Sequence, residues 1–156
     1  LMPQMDQKVL AEILALEERK DYGNPRYEQL LMANFYSEHV LRMPLEQWPA
    51  PVLRTFGGIN KEIYIPMQGP SEMAASGLLE HWDRSADLHR IGVPTLVIGA
   101  AHDTMDPKHM QWMAEQMPRA RYLHCPDGSH LAQYDDQQAY MAGLIGFIKD
   151  VDAGKF

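Results

Sequence analysis

The sequence predicts an α/β fold built on a parallel sheet, and three observations carry the prediction. Two short apolar segments, Thr95 to Gly99 and Arg121 to Cys125, each run into a polar loop. Between them, Pro107 to Met117 has the composition of a helix, so the two strands are joined by a helical crossover and run parallel with a right-handed connection. A terminal helix from Asp135 to about Val151 follows the second strand. The first strand, Thr-Leu-Val-Ile, is apolar on both faces, as in a sheet covered on both sides. Two parallel strands do not make such a sheet alone, so these residues are expected to form the edge of a larger sheet whose other strands lie outside the sequence.

The preceding residues read as helical. From Asp6 to Tyr22, the residues Val9, Leu10, Ile13, Leu14 and Leu16 follow the helical period, with Gly23 placed as a C-terminal cap. Asn24 and Pro25 supply an N-cap and a first-turn proline for a second helix, which Tyr27, Leu30, Leu31, Phe35 and Leu41 carry to about Arg42. Residues 43–58 hold Pro44, Pro49, Pro51, Gly57 and Gly58 and leave room for one short helix. Ile63 to Met67 reads as a short extended piece, followed by the turn Gly69-Pro-Ser-Glu-Met73 and by Gly77. No internal repeat interrupts this order.

Composition narrows the function. With 46% apolar and 22% charged residues, the 156-residue chain has the balance of a folded domain. A net charge of -7 and scattered Lys and Arg argue against a nucleic-acid surface. The apolar runs are far shorter than the roughly 20 residues that span a bilayer, so no membrane segment is expected. A single cysteine, Cys125, excludes an internal disulfide and fits a reducing, cytoplasmic setting. The first residues carry no secretory-leader pattern, and a start at Leu1 is what part of a longer chain would show. The eleven methionines are read as core or lid packing.

The chemistry concentrates in the two loops that follow the strands. The first presents Asp103 and the second presents His130, an acid followed by a base. An Asp103 carboxylate accepting the Nδ1 proton of His130 would fix the imidazole tautomer and stabilise the imidazolium, leaving His130 as general base. The competing role for Asp103, capping the helix at Pro107, suits Asp106 better because Asp106 directly precedes the proline. Nucleophile, acid, then histidine is the chain order of α/β-hydrolases, yet no Gly-x-Ser-x-Gly elbow occurs in the sequence. Ser71 satisfies the order, but Gly69-Pro-Ser-Glu-Met lacks the second glycine and the proline stiffens the turn. The group His102, Asp103, Asp106 and His109 matches no zinc spacing, so neither a metal nor a cofactor is expected. Cys125 reads as a small buried filler.

Several motifs lie outside these loops: Pro25-x-Tyr27, Asn34-Phe-Tyr-x-x-His39, Gln47-Trp-Pro49, Met67-Gln-Gly-Pro-Ser-Glu72, Gly77 and Trp82-Asp83. Together with the run from Val93 to His130, they make the chain from about Tyr22 onward resemble the proline iminopeptidase (prolyl aminopeptidase) family of α/β-hydrolases. The resemblance implies the C-terminal part of an α/β-hydrolase fold with an inserted helical cap. Residues 1–80 would form the cap and residues 81–156 the end of the core. It implies a serine aminopeptidase that releases N-terminal proline from peptides, with Asp103 and His130 in the triad. The serine and the oxyanion loop would lie in an N-terminal half before residue 1, so the chain alone is expected to be inactive and its partner is that half. The family also needs cap acids for the substrate's free amine, because a protonated amine leaving water is costly unless carboxylates compensate it. Glu72 matches the family's cap glutamate, and Glu28 is taken as the second acid. Here the chain departs from the family pattern, which puts a glutamate where this sequence has Gln29, and Glu38 remains an alternative. Two rival readings stand beside this one. The first is another α/β-hydrolase, an esterase or amidase. The second is a non-catalytic piece that associates, with itself or another protein, through its open sheet edge.

Overall fold

The computed structural model covers residues 1–156, and its first helix, α1 (Gln7–Glu18), starts where Asp6 accepts hydrogen bonds from the N–H groups of Lys8 and Val9. The helix ends sooner than its apolar period suggests. Lys20 takes a left-handed φ of 55°, Lys20 N–H donates to the Glu17 carbonyl at 2.9 Å and Asp21 N–H to the Leu16 carbonyl at 3.0 Å. This pair of bonds satisfies the last turn, so Lys20 rather than Gly23 reverses the chain. A lysine gives no signal for this conformation, which ordinarily favours glycine.

Asn24 caps the second helix by accepting from Arg26 N–H at 3.0 Å, and α2 spans Pro25–Leu31. It does not continue as one regular helix to Arg42. A π-helical turn covers Met32–Tyr36, and α3 (Ser37–His39) closes the segment. The extra residue in a π turn rotates the later side chains relative to the α period, and both Phe35 and Tyr36 are buried as a result. One short α-helix, α4 (Ala50–Gly57), lies in the proline- and glycine-rich stretch, as its composition predicts, and a 3-10 turn at Leu45–Gln47 precedes it. Residues 63–67 are not extended. They belong to α5 (Lys61–Gln68), which Asn60 initiates by accepting from Glu62 N–H at 3.0 Å. Alternating Ile63, Tyr64 and Ile65 imitate a strand, but Ile63 is 63% exposed and the cap decides the local structure. The carbonyls of Pro66, Met67 and Gln68 accept from the N–H groups of Leu78, Leu79 and Ser76 at 2.9–3.0 Å. These bonds fold the segment after Gly69 back onto the helix end. A side chain at Gly77 would meet the Met67 carbonyl at 2.5 Å, which accounts for the glycine.

The last third forms the predicted parallel pair. Strand β1 (Thr95–Ala100) pairs with β2 (Ala120–Cys125), Thr95 opposite Ala120 and Ala100 opposite Cys125. The crossover is α6 (Pro107–Gln116), capped by Asp106, which accepts from Lys108 N–H at 2.9 Å. The terminal helix is α8 (Gln137–Asp152), close to its expected span, and a short helix α7 (Ala132–Asp135) precedes it, separated at Asp136. Alternation along the strands sends side chains to both faces. Val97 and Tyr122 pack with Ala114 and Met117, whereas Ile98, Ala100, Leu123 and Cys125 pack with Ala132, Ala139 and Tyr140. The sheet contains two strands.

The chain divides into two units. One is Leu1–Glu38 with Met43–Trp82, and the other is Asp83–Phe156 with the short segment His39–Arg42. No helix is long and apolar enough to cross a membrane.

Candidate functional site

In the second unit, the loops after β1 and β2 bring Asp103 and His130 together. His130 Nδ1 lies 2.9 Å from Asp103 Oδ1. The same oxygen accepts from Met105 N–H at 3.0 Å and from the Thr104 hydroxyl at 3.2 Å. The Asp103 side chain is 9% exposed and that of His130 38%. Burial pushes the Asp103 carboxyl up, yet the hydrogen bonds from His130, Met105 N–H and Thr104 overcome it and hold the group below its ordinary range. Asp103 is therefore an anion at neutral pH that orients the ring beside it. A neutral imidazole that donates from Nδ1 carries its lone pair on Nε2, the form that takes a proton from a hydroxyl or water.

Glu72 and Glu28 occur in the first unit, where both line one cavity of about 500 Å³. Aromatic rings make up much of its wall, among them Tyr22, Tyr36, Trp48, Phe56 and Tyr64, and Lys61 is its one basic lining residue. Phe56 joins two of these rings, its centroid 5.7 Å from Tyr36 and 5.6 Å from Trp48. Tyr64 donates its hydroxyl to Glu72 Oε1 in a short hydrogen bond, and Glu72 N–H reaches the Tyr36 hydroxyl oxygen at 3.4 Å. Burial raises the Tyr36 phenol to about 12, and the negative charges of Glu72, Glu17 and Glu28 add to the effect while the bond from Glu72 N–H opposes it. Burial and the Glu72 carboxylate likewise push Tyr64 up, so both phenols remain donors at neutral pH. Such a pocket, with carboxylates set among rings, favours a compact cation with an apolar body.

Other residues singled out by sequence are committed elsewhere. Ser71 is 3% exposed, its hydroxyl donates to Glu17 at 3.4 Å, and no imidazole is among its partners in the first unit. Asp106 caps α6 and His109 stacks on Trp112 at 5.2 Å between ring centroids. No group of three His, Cys, Asp or Glu side chains gathers in a metal-binding arrangement. Glu38 is exposed, and Gln29, where the resemblance places a glutamate, accepts from Arg26 Nη1 at 3.0 Å. Sequence reasoning missed Glu17, which accepts from the Tyr27 hydroxyl at 2.7 Å, and it missed the pairing of Tyr64 with Glu72. Glu17 lies on the apolar-periodic helix α1, where an acid reads as a solvated residue. Tyr64 was hidden by the strand-like alternation around it.

The chain as a whole has relatives among known proteins. The chain is 46% identical over 152 residues to a proline iminopeptidase of Chitinophaga pinensis, covering 97% of the chain and 51% of that protein. It is 49% identical to the proline iminopeptidase of Elizabethkingia meningoseptica, covering all of the chain and 52% of the relative. The proline iminopeptidase of Flavobacterium johnsoniae is 50% identical, with 99% of the chain and 52% of the relative covered. The chain thus spans about half the length of the curated relatives it matches. No protein-family model matches it. Among solved structures, that of VinJ superposes with a TM-score of 0.86 at 25% identity, over 96% of this chain and 50% of that one. The proline iminopeptidase of Mycobacterium smegmatis superposes with a TM-score of 0.78 at 25% identity, over 99% and 52%.

Proposed function

Because the chain belongs to the proline iminopeptidase family of α/β-hydrolases, we propose that it supplies the acid, the base and the amine-binding pocket of a serine aminopeptidase that releases N-terminal proline from peptides. The observation that carries this reading is the 2.9 Å contact of His130 Nδ1 with Asp103 Oδ1, on loops that follow two parallel strands. The serine and the oxyanion donors come from the remainder of the hydrolase body, which is this chain's partner. In the reaction, His130 takes the serine proton as the hydroxyl oxygen attacks the carbonyl of the N-terminal residue. It returns the proton to the leaving amine, then activates water to release the acyl group. Asp103 holds the ring throughout and stabilises the imidazolium.

Residues 1–80 serve as the cap and 81–156 as the end of the core. Glu72 and Glu28 bind the substrate's ammonium group, Glu72 being held in place by Tyr64. A cytoplasmic setting belongs to the same reading, supported by the single free cysteine.

The test is a pair of substrates assayed with the whole protein that carries this chain. His130→Ala should lower kcat on a proline arylamide by on the order of 10³-fold or more. Glu72→Gln should impair the arylamide strongly and spare a simple ester that lacks a free amine. Equal loss on both substrates would remove Glu72 from amine binding, and brisk ester cleavage with no arylamide cleavage in the unsubstituted protein would favour the esterase reading.

A further inference from the structure

The Asp103 and His130 loops share a common support in the segment His39–Arg42 of the second unit. His39 touches both. Its ring Nδ1 lies 3.0 Å from the carbonyl of His102, the residue before Asp103, a contact that requires a proton on Nδ1. Its own carbonyl accepts from His130 N–H at 3.0 Å, and the next carbonyl, of Val40, accepts from Leu131 N–H at 2.9 Å. The segment is anchored further on. Arg42 N–H donates to Asp135 Oδ2 at 2.9 Å, and the Asp135 carboxylate also takes the N–H of Ser129 at 3.0 Å and the Ser129 hydroxyl. Val40, Leu41 and Ser129 are 2% or less exposed, so the strap is packed as well as bonded.

We propose that His39 is a positioning residue for proton transfer, its ring fixing the Asp103 loop and its carbonyl fixing the His130 loop. This deepens the reading given above and rests on Asp103 and His130 being the acid and base. A displacement of about 1 Å in such a pair costs on the order of 100-fold in rate, which is the scale of effect expected when the ring contact is lost. The backbone bond from His130 survives any substitution at His39, so the side-chain contribution is separable. Asparagine places an N–H donor close to the position of Nδ1 and should substitute for it.

The experiment records long-range proton–nitrogen correlation spectra of the whole protein that carries this chain, labelled at histidine, which report the tautomer of each ring. His130 is expected mainly as the Nδ1–H tautomer in the unsubstituted protein and in His39→Asn, and as a mixture shifted toward Nε2–H in His39→Ala. In the whole enzyme, His39→Ala should lower kcat on a proline arylamide 10- to 100-fold with KM little changed, and His39→Asn should restore most of it. If His39→Ala fails to fold, His39→Leu keeps the bulk without the donor and takes its place in the comparison. An unchanged His130 tautomer in the donor-less variant, or equal impairment of His39→Asn and that variant, overturns the proposal. Absence of arylamide hydrolysis in the unsubstituted enzyme would overturn the peptidase reading, while the tautomer comparison would still decide the role of His39.

Discussion

Asp103 gathers three hydrogen-bond donors onto one oxygen, and that arrangement has a pH signature. Its carboxyl is held below the ordinary value of about 3.9, so the stability it contributes is present above that value and is lost as pH falls through the lowered one. Asp103→Asn should therefore melt below the unsubstituted chain at pH 6 to 7, and the gap should close as pH falls below about 4. Thermal melts between pH 2 and 7 check this, and a gap constant across the range would show that the bonds are not linked to folding. Cys125 makes the opposite case. Burial, with the charges of Asp136 and Asp135, raises its thiol to about 11. It should resist alkylation at pH 8 in the folded chain and react promptly in denaturant, as peptide mass analysis would show. The pairing of Asp103 with His130 was legible in the sequence because each lies in a turn-forming loop directly after an apolar strand. Glu17 and Tyr64 were not legible, since their partners are 10 and 8 residues away and only the folded chain brings them together.

Helix starts were readable where a capping side chain stands directly before a proline, at Asn24 and Asp106, whereas the Asn60 cap of α5 was not read. Asn24 and Asp106 each start a helix as their positions predict, and Asp6 does the same for α1. Asp106→Ala should cost about 1 kcal/mol, measured by denaturant unfolding. Where endings depend on backbone conformation, the sequence was silent: Lys20 closes α1, and the short α7 ends at Asp135 just before α8. The π turn at Met32–Tyr36 has no compositional sign, and alternation at Ile63 to Ile65 pointed to the wrong period. Two glycines separate steric need from tolerance. Gly77→Ala forces a side chain against the Met67 and Pro66 carbonyls and should destabilise by about 1–3 kcal/mol. Gly146→Ala, with nothing within 4 Å of the added carbon and a helical backbone, should stabilise by about 0.5–1 kcal/mol. Equal effects of the two would contradict this distinction.

For the molecule as a whole, the sheet is the informative element. Apolar residues on both faces of β1 predicted a covered parallel sheet, and α6 and the α7–α8 pair cover the two strands present. Helix α8 nevertheless has no fully buried residue, and Ile145 and Ile148 remain 48% and 47% exposed. A face of this kind associates in water. The isolated chain should show a concentration-dependent rise in mass by light scattering, reduced by Ile145→Glu with Ile148→Glu. A constant 17.8 kDa species at all concentrations would count against it. The connectivity has one more consequence, for any attempt to dissect the protein. His39–Arg42 belongs to the second unit but lies along the chain between two stretches assigned to the first, so a single cut at Asp83 yields a piece that has lost four of its own residues. The excised piece would keep both of its strands and the Asp103 and His130 pair, yet it would lack the hydrogen-bond partners of His130 and Leu131. Transplanting this unit between relatives therefore requires two crossovers in the gene rather than one.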